Sequence, residues 1–313
     1  MEVGSLISTR KIDLSVRRLR TEQSLPGAAD LDRMSALEIA RLINAEDATV
    51  AAAVRRVLPQ VARAIELVAA AIRKGGRLIY VGAGTSGRVA ALDASESTPT
   101  FNLPPETIQF IIAGGHPALA VPNEAAEDDA SLGRKEMARR KPNKNDVVLG
   151  IASSGRTPFT VAGVSEARRR GARTIALTCN RNSPLQRAAH FAIVTEVGPE
   201  VLAGSSRMKA GTAQKLVLNM ISTGAMTRLG YVYGNLMVNV LPKNGKLKQR
   251  AIAILEQATG ANPEAAAQAL RSSGNRTPVA LVMLAAGVSR AQAAAALKKA
   301  QGNVRKAIAL AEK

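Results

Sequence analysis

At 313 residues, with 46% apolar side chains but no Trp and only 2% aromatics, the chain is long enough for one large α/β domain and a small satellite, their cores packed with aliphatic residues. A single cysteine, Cys179, and two histidines, His116 and His190, leave no basis for a disulfide framework or a zinc site. The formal charge of +19 raises nucleic acid or an acidic membrane as partners, but the 12 Lys and Arg against 3 Glu between Leu241 and Lys313 are spread along helical stretches with no interleaved aromatics, which argues against both.

Residues 1 to about 33 read as irregular. Met1 to Ser15 carry Glu2, Arg10, Lys11 and Asp13 and lack the apolar stretch of a secretory signal. Apolar stretches elsewhere, such as Pro278 to Val288, fall far short of the roughly 20 residues that span a bilayer, so a cytoplasmic location is expected. A capping box, Ser35-Ala36-Leu37-Glu38, opens a helix carrying Leu37, Ile39, Leu42 and Ile43 on one face. A second helix is expected from about Thr49 to Lys74, with Pro59 as a kink or break and Gly75-Gly76 as its end.

The periodicity then changes. Arg77 to Val81, Thr107 to Ala113, Asp146 to Ala152 and Arg173 to Thr178 are short apolar runs of the kind that form buried parallel strands, and Ala192 to Val197 is a fifth. Helices such as Thr160 to Arg170 fit between them. The alternation implies an α/β fold with a doubly wound parallel sheet, whose ligands sit beyond the carboxyl ends of the strands. A long helix is expected at about Ala210 to Leu229, and short helices follow from about Lys248, with caps legible at Asn262-Pro263, Thr277-Pro278 and Ser289 with Gln292. The division is therefore 1–60 as an N-terminal segment with helices, 61–240 as the sheet domain, and 248–313 as a C-terminal helical subdomain.

The first expected strand runs into Gly82-Ala83-Gly84-Thr85-Ser86-Gly87-Arg88 ahead of a helix, where glycines permit close backbone approach and first-turn amides face an anion. Thr85 and Ser86 add hydroxyl donors. The segment is not a Walker A loop, since no Gly-Lys-Ser/Thr follows. Taken singly, such a turn is more often structural than a phosphate site. A second hydroxyl-rich segment, Ser153-Ser154-Gly155-Arg156-Thr157-Pro158, follows another strand, and a third, Gly204-Ser205-Ser206-Arg207-Met208-Lys209, precedes the long helix. Together they suit one sugar phosphate, with Gly84, Thr85, Ser86, Ser153, Ser154, Gly155, Thr157, Ser205, Ser206 and Lys209 as its contacts. Arg88, Arg156 and Lys209 are cations for a phosphate or carboxylate, or equally members of structural ion pairs.

These segments, with Thr21-Glu22, Asp93-Ala94-Ser95-Glu96, Glu124-Ala125-Ala126-Glu127-Asp128, Gly198-Pro199-Glu200, the run Ser205 to Lys215 and Tyr233 to Val238, resemble the N-acetylmuramic acid 6-phosphate etherase family of the sugar isomerase (SIS) domain superfamily. The resemblance extends over most of the chain. It implies an αβα SIS domain, a UBA-like C-terminal subdomain, and cleavage of the D-lactyl ether of N-acetylmuramic acid 6-phosphate to N-acetylglucosamine 6-phosphate and D-lactate in peptidoglycan recycling. It also implies that Glu96 and Glu127 transfer the protons, with Glu96 as the first acid/base group, at C2 and the leaving group, and Glu127 as the second. Opening the sugar ring exposes an aldehyde that acidifies C2, lactate leaves C3 by elimination, and water adds back; this needs acid and base groups, with no metal or redox cofactor. Outside the resemblance, either glutamate reads as an ordinary helix-surface residue.

Val89-Ala90, Ser97-Thr98 and Ala125 depart from the family pattern, while the expected chemical residues are retained. Glu96 lies ten residues beyond Ser86, about 15 Å along an unbroken helix at about 1.5 Å per residue. Either the helix breaks early or Glu96 completes the site of a second subunit, which makes a homodimer with shared sites the expectation. A hexosamine-phosphate isomerase and a non-catalytic sugar-phosphate sensor are the competing readings. A carboxyl that exchanges protons here should have a raised pKa from partial burial.

Overall fold

The computed structural model describes residues 19–242 and 244–313; residues 1–18, the larger part of the segment read as irregular, lie outside that range. From Arg20 to Arg33 the chain forms three short 3-10 turns. Helices α1 (Ala36–Arg55) and α2 (Leu58–Arg73) follow. The Ser35 and Glu38 capping box forms as expected. The boundary between the two helices does not fall at Thr49. No breaker stands there, and Thr49 Oγ1 donates back to Glu46 O inside the helix, so α1 runs on to Arg55. Pro59 occupies the first turn of α2, where a missing N–H costs nothing.

The sheet strands are β1 (Leu78–Gly82), β2 (Ile108–Ile112), β3 (Val147–Ile151), β4 (Arg173–Thr178) and β5 (Phe191–Val194). Between them lie α3 (Gly84–Phe101), α4 (Glu124–Asp128), α5 (Ala130–Arg139), α6 (Pro158–Arg169) and α7 (Pro184–Ala188), and α8 (Lys209–Leu229) follows β5. All five strands are parallel, in the order β2-β1-β3-β4-β5. The apolar runs are buried on both faces. Leu78, Tyr80, Leu149 and Ile175 join the core formed with α1, α2, α3 and α8, while the alternating Ile79, Val81, Val148 and Ala176 join the core under α5, α6 and α7. This is the doubly wound, three-layer arrangement that the pattern predicts.

One expected loop is a helix. Gly84 to Arg88 form the opening of α3, not a connection ahead of it, and α3 continues unbroken through Glu96 and Pro99 to Phe101. The structure thereby removes an early helix break as an explanation for the position of Glu96.

The C-terminal helices are α9 (Gly245–Thr259), α10 (Pro263–Ser272), α11 (Thr277–Ala286), α12 (Arg290–Lys299) and α13 (Val304–Ala311). They enclose their own apolar cluster, including Leu255, Leu270, Leu281 and Val304. Asn262 and Ser289 cap as expected. Thr277 does not: it lies inside α11, and its hydroxyl donates to Val240 O. No single helix among the described residues is long and apolar enough to cross a membrane; α11 and α12 reach that length only together, across a 108° bend.

Candidate active site

The register places Gly82 of β1 beside Ile112 of β2 and Ile151 of β3, so the segments that follow these strands emerge side by side at one edge of the sheet. At that edge α3 begins. Its first-turn amides have no partner within the helix and point outward. Gly84 has φ +50, a left-handed conformation that favours glycine. A Cβ there would stand 2.9 Å from Glu127 Oε1. Glu127 is thus held directly against the start of α3.

Glu127 reaches this position from α4, whose N-terminus is capped by Asn123 Oδ1 accepting from Ala126 N at 3.1 Å. Burial is the main cause that raises the Glu127 pKa above 4.5, with the negative charges of Asp128 and Glu124 adding to it and Arg88 opposing it. A half-buried carboxyl with a raised pKa is suited to exchanging protons near neutrality. Arg88 itself donates from Nε to Leu119 O at 3.0 Å.

The second segment follows β3. Ser153 is buried, and Gly155 has φ +67 with its α-carbon against the Ser183 side chain. Ser154 Oγ accepts from Arg156 N at 3.1 Å. Thr157 precedes α6 but makes no capping bond with its side chain. The third segment leads into α8, whose start meets that of α3: a Cβ at Gly211 would lie 3.3 Å from Thr85 Cγ2. Ser205 and Ser206 are half-buried on this approach. Phosphate-binding candidates from three separate stretches therefore share one end of the sheet.

Lys209 and Glu96 differ from that picture. Lys209 is buried and its Nζ is paired with Glu46 of α1, so its charge is already met within the fold. Glu96 is exposed, and the structure does not bring it to Glu127. It lines a separate cavity of about 500 Å³ with Pro99, Leu103, Met237, Leu247 and Arg250.

Several residues at the site have roles that the sequence does not assign, although Glu200 and Gln214 stand in segments that carry the resemblance. Glu200 is fully buried and accepts from the backbone N–H groups of Lys209 and Ala210, each at 2.9 Å, fixing the start of α8. Its burial raises its pKa despite those two bonds. Asn180 is buried and bridges two distant stretches: Nδ2 donates to Ser153 O at 3.0 Å and to Thr21 Oγ1 at 3.1 Å, while Oδ1 accepts from Arg20 N at 3.1 Å. Gln214 is fully buried and donates from Nε2 to Ser153 Oγ at 2.9 Å. An Asn on a turn and a Gln on a helix ordinarily read as surface residues.

The remaining polar candidates are structural. His190 Nδ1 accepts from Thr174 N at 3.1 Å, and the His116 ring packs edge-on against Phe110. Cys179 is a buried thiol whose pKa burial pushes up to about 12.

The chain matches the family model of the SIS domain over residues 130–223 and that of the glucokinase regulatory protein N-terminal SIS domain over residues 60–167. Among solved structures it is similar to a phosphoheptose isomerase from Francisella tularensis, with 18% identity, 61% of this chain and 98% of that chain covered, and a TM-score of 0.47. Curated relatives are much nearer. The N-acetylmuramic acid 6-phosphate etherase of Symbiobacterium thermophilum is 52% identical over 275 residues, covering 88% of this chain and 91% of the relative. That of Rubrobacter xylanophilus is 50% identical over 297 residues, covering 95% and 98%. Etherase 1 of Vibrio cholerae is 48% identical over 298 residues, covering 95% and 99%. At this identity over nearly the whole length, the chain belongs to the N-acetylmuramic acid 6-phosphate etherase family.

Proposed function

We propose that the protein cleaves the D-lactyl ether of N-acetylmuramic acid 6-phosphate, releasing D-lactate and N-acetylglucosamine 6-phosphate. The observation that carries the reading is the contact of Glu127 with the opening turn of α3: a carboxyl with a raised pKa stands beside a set of amide and hydroxyl donors suited to phosphate. Thr85, Ser86, Ser153, Ser154, Thr157, Ser205 and Ser206 supply neutral donors around the phosphate, and Gly84 and Gly155 let the backbone approach it.

With the sugar in its open form, a base removes the C2 proton. The electron pair becomes the C2–C3 double bond as the C3–O bond breaks, and the departing lactate oxygen takes a proton. Water then adds at C3 and a proton returns to C2, so that acid and base are each regenerated. Glu127 and Glu96 are assigned these transfers. The assignment places Glu96 in the site of a second subunit, because α3 is continuous and separates Glu96 from Ser86 by about 15 Å.

The working enzyme in this proposal is a cytoplasmic homodimer with shared sites. Residues 61–240 form its SIS domain, the helices of the 1–60 segment pack on it, and residues 248–313 form the UBA-like helical part.

Incubation with N-acetylmuramic acid 6-phosphate should release D-lactate, with Glu127→Gln and Glu96→Gln each reducing the rate by orders of magnitude. Binding without release would make the protein a sensor and overturn the etherase reading. Mixing Glu96→Gln chains with Glu127→Gln chains tests sharing: activity should reappear in mixed dimers, and none would count against it.

A further inference from the structure

Gln214 lies on the second turn of α8 and is used by none of the steps above. Its side chain is fully buried, Nε2 donates to Ser153 Oγ at 2.9 Å, and Oε1 accepts no hydrogen bond among the described residues. Leaving a buried amide oxygen unpaired costs roughly 1–3 kcal/mol. The arrangement retains the bond to Ser153 at that cost.

The bond fixes a polarity. A serine hydroxyl has one proton and two lone pairs. When a lone pair of Ser153 Oγ receives the Gln214 amide proton, the hydroxyl proton must point away from Gln214. The backbone beneath it cannot shift to compensate, because Ser153 O accepts from Cys179 N at 3.0 Å, Thr178 Oγ1 at 3.2 Å and Asn180 Nδ2 at 3.0 Å. Ser153 is held from both sides. In a site built largely from neutral donors, with the Lys209 ammonium already paired to Glu46, that polarity matters. A hydroxyl presenting its proton attracts a phosphate oxygen, and one presenting a lone pair repels it.

We propose that Gln214 is a positioning residue that presents Ser153 as a hydrogen-bond donor to the phosphate of the bound sugar. This rests on the phosphate site proposed above. Gln214 acts through Ser153 and does not touch the ligand. An apolar side chain at this position would release the hydroxyl to rotate. An ionised carboxylate would reverse it, since a carboxylate only accepts.

The test is calorimetric binding of N-acetylglucosamine 6-phosphate to the full chain, with unphosphorylated N-acetylglucosamine as control, in a cycle of Gln214→Met, Ser153→Ala and the double variant. Gln214→Met should weaken binding of the phosphorylated sugar roughly five- to twentyfold, in line with a hydrogen bond to a charged group. In the Ser153→Ala background the same change should matter less than about twofold. A second variant, Gln214→Glu, keeps the shape and adds a pH readout: its carboxyl donates to Ser153 when protonated and accepts when ionised, so its affinity relative to wild type should fall as pH rises.

Binding by Gln214→Met within about twofold of wild type, while Ser153→Ala is weakened, would overturn the role of Gln214 and leave the phosphate site standing. An equal loss in both backgrounds, or a flat pH ratio for Gln214→Glu, would also overturn it. Wild-type binding by Ser153→Ala would instead overturn the placement of the phosphate.

Discussion

Glu127 Oε1 lies so close over Gly84 that a single added Cβ at residue 84 would stand 2.9 Å from it. The position that opens α3 and the carboxyl beside it share one space. Gly84→Ala must therefore both strain a backbone at φ +50 and displace Glu127. The expected result is a loss of about 1 kcal/mol or more in stability and a fall in kcat/KM on the order of 10²-fold, as expected for a misplacement near 1 Å. Denaturant unfolding and the D-lactate assay measure the two effects separately.

The raised pKa of Glu127 sets the sign of a pH effect. Its folded-state pKa exceeds the ordinary 4.5, so the fold favours the protonated carboxyl and the ionised one is a stability cost above the folded pKa. The cost is relieved as pH falls through the folded value toward the unfolded one. Glu127→Gln should thus raise Tm at neutral pH, and the gain should shrink as pH falls toward 4.5 and be absent below it. Scanning Tm against pH for both proteins checks it; a gain that grows toward acid would contradict the assignment.

Tyr80 donates to Asp93 Oδ2 at 2.7 Å, while Oδ1 of the same carboxylate accepts from Asn219 Nδ2 at 2.7 Å and Ser222 Oγ at 3.0 Å. This buried network ties β1, α3 and α8 together. Tyr80→Phe leaves a buried carboxylate oxygen short of a partner and should cost about 1–3 kcal/mol, read as a shift in the urea midpoint without a change in slope.

Lys209→Met should act chiefly on stability. The ammonium is buried against Glu46, and removing it leaves an uncompensated, partly buried carboxylate, at a cost of about 1–3 kcal/mol. Adding Glu46→Gln should recover part of that loss. Additive losses from the two changes, measured by denaturant unfolding, would show that the pair contributes nothing as a pair.

The sheet was readable because its strands are short apolar runs between glycines and loops, and a doubly buried parallel strand has little else it can be. The hydroxyl-rich segments were readable for a related reason: Thr85, Ser86, Ser153 and Ser154 stand immediately after strands, where the topology collects them. Thr49 lies inside a helix and does not start one; a Thr caps a helix or bonds back within one according to its local turn, and the sequence alone does not separate the two. Lys209 is legible as a cation but its partner is not, since Glu46 is 163 positions away. The same holds for Asn180 and Gln214. Their roles depend on burial and on one long-range hydrogen bond each or more, and neither quantity has a period along the chain.

Asn180 bonds at once to the carbonyl of Ser153 and to Thr21, a residue 159 positions before it. The N-terminal turn is therefore tied to the edge of the sheet where the phosphate site is proposed, although it contributes no strand or long helix to the fold. Its detachment and the loosening of the Ser153 loop become a single cooperative opening. The backbone N–H groups of Arg20 and Cys179 should then exchange with solvent together, and a ligand that braces Ser153 should slow exchange at Arg20 without touching it.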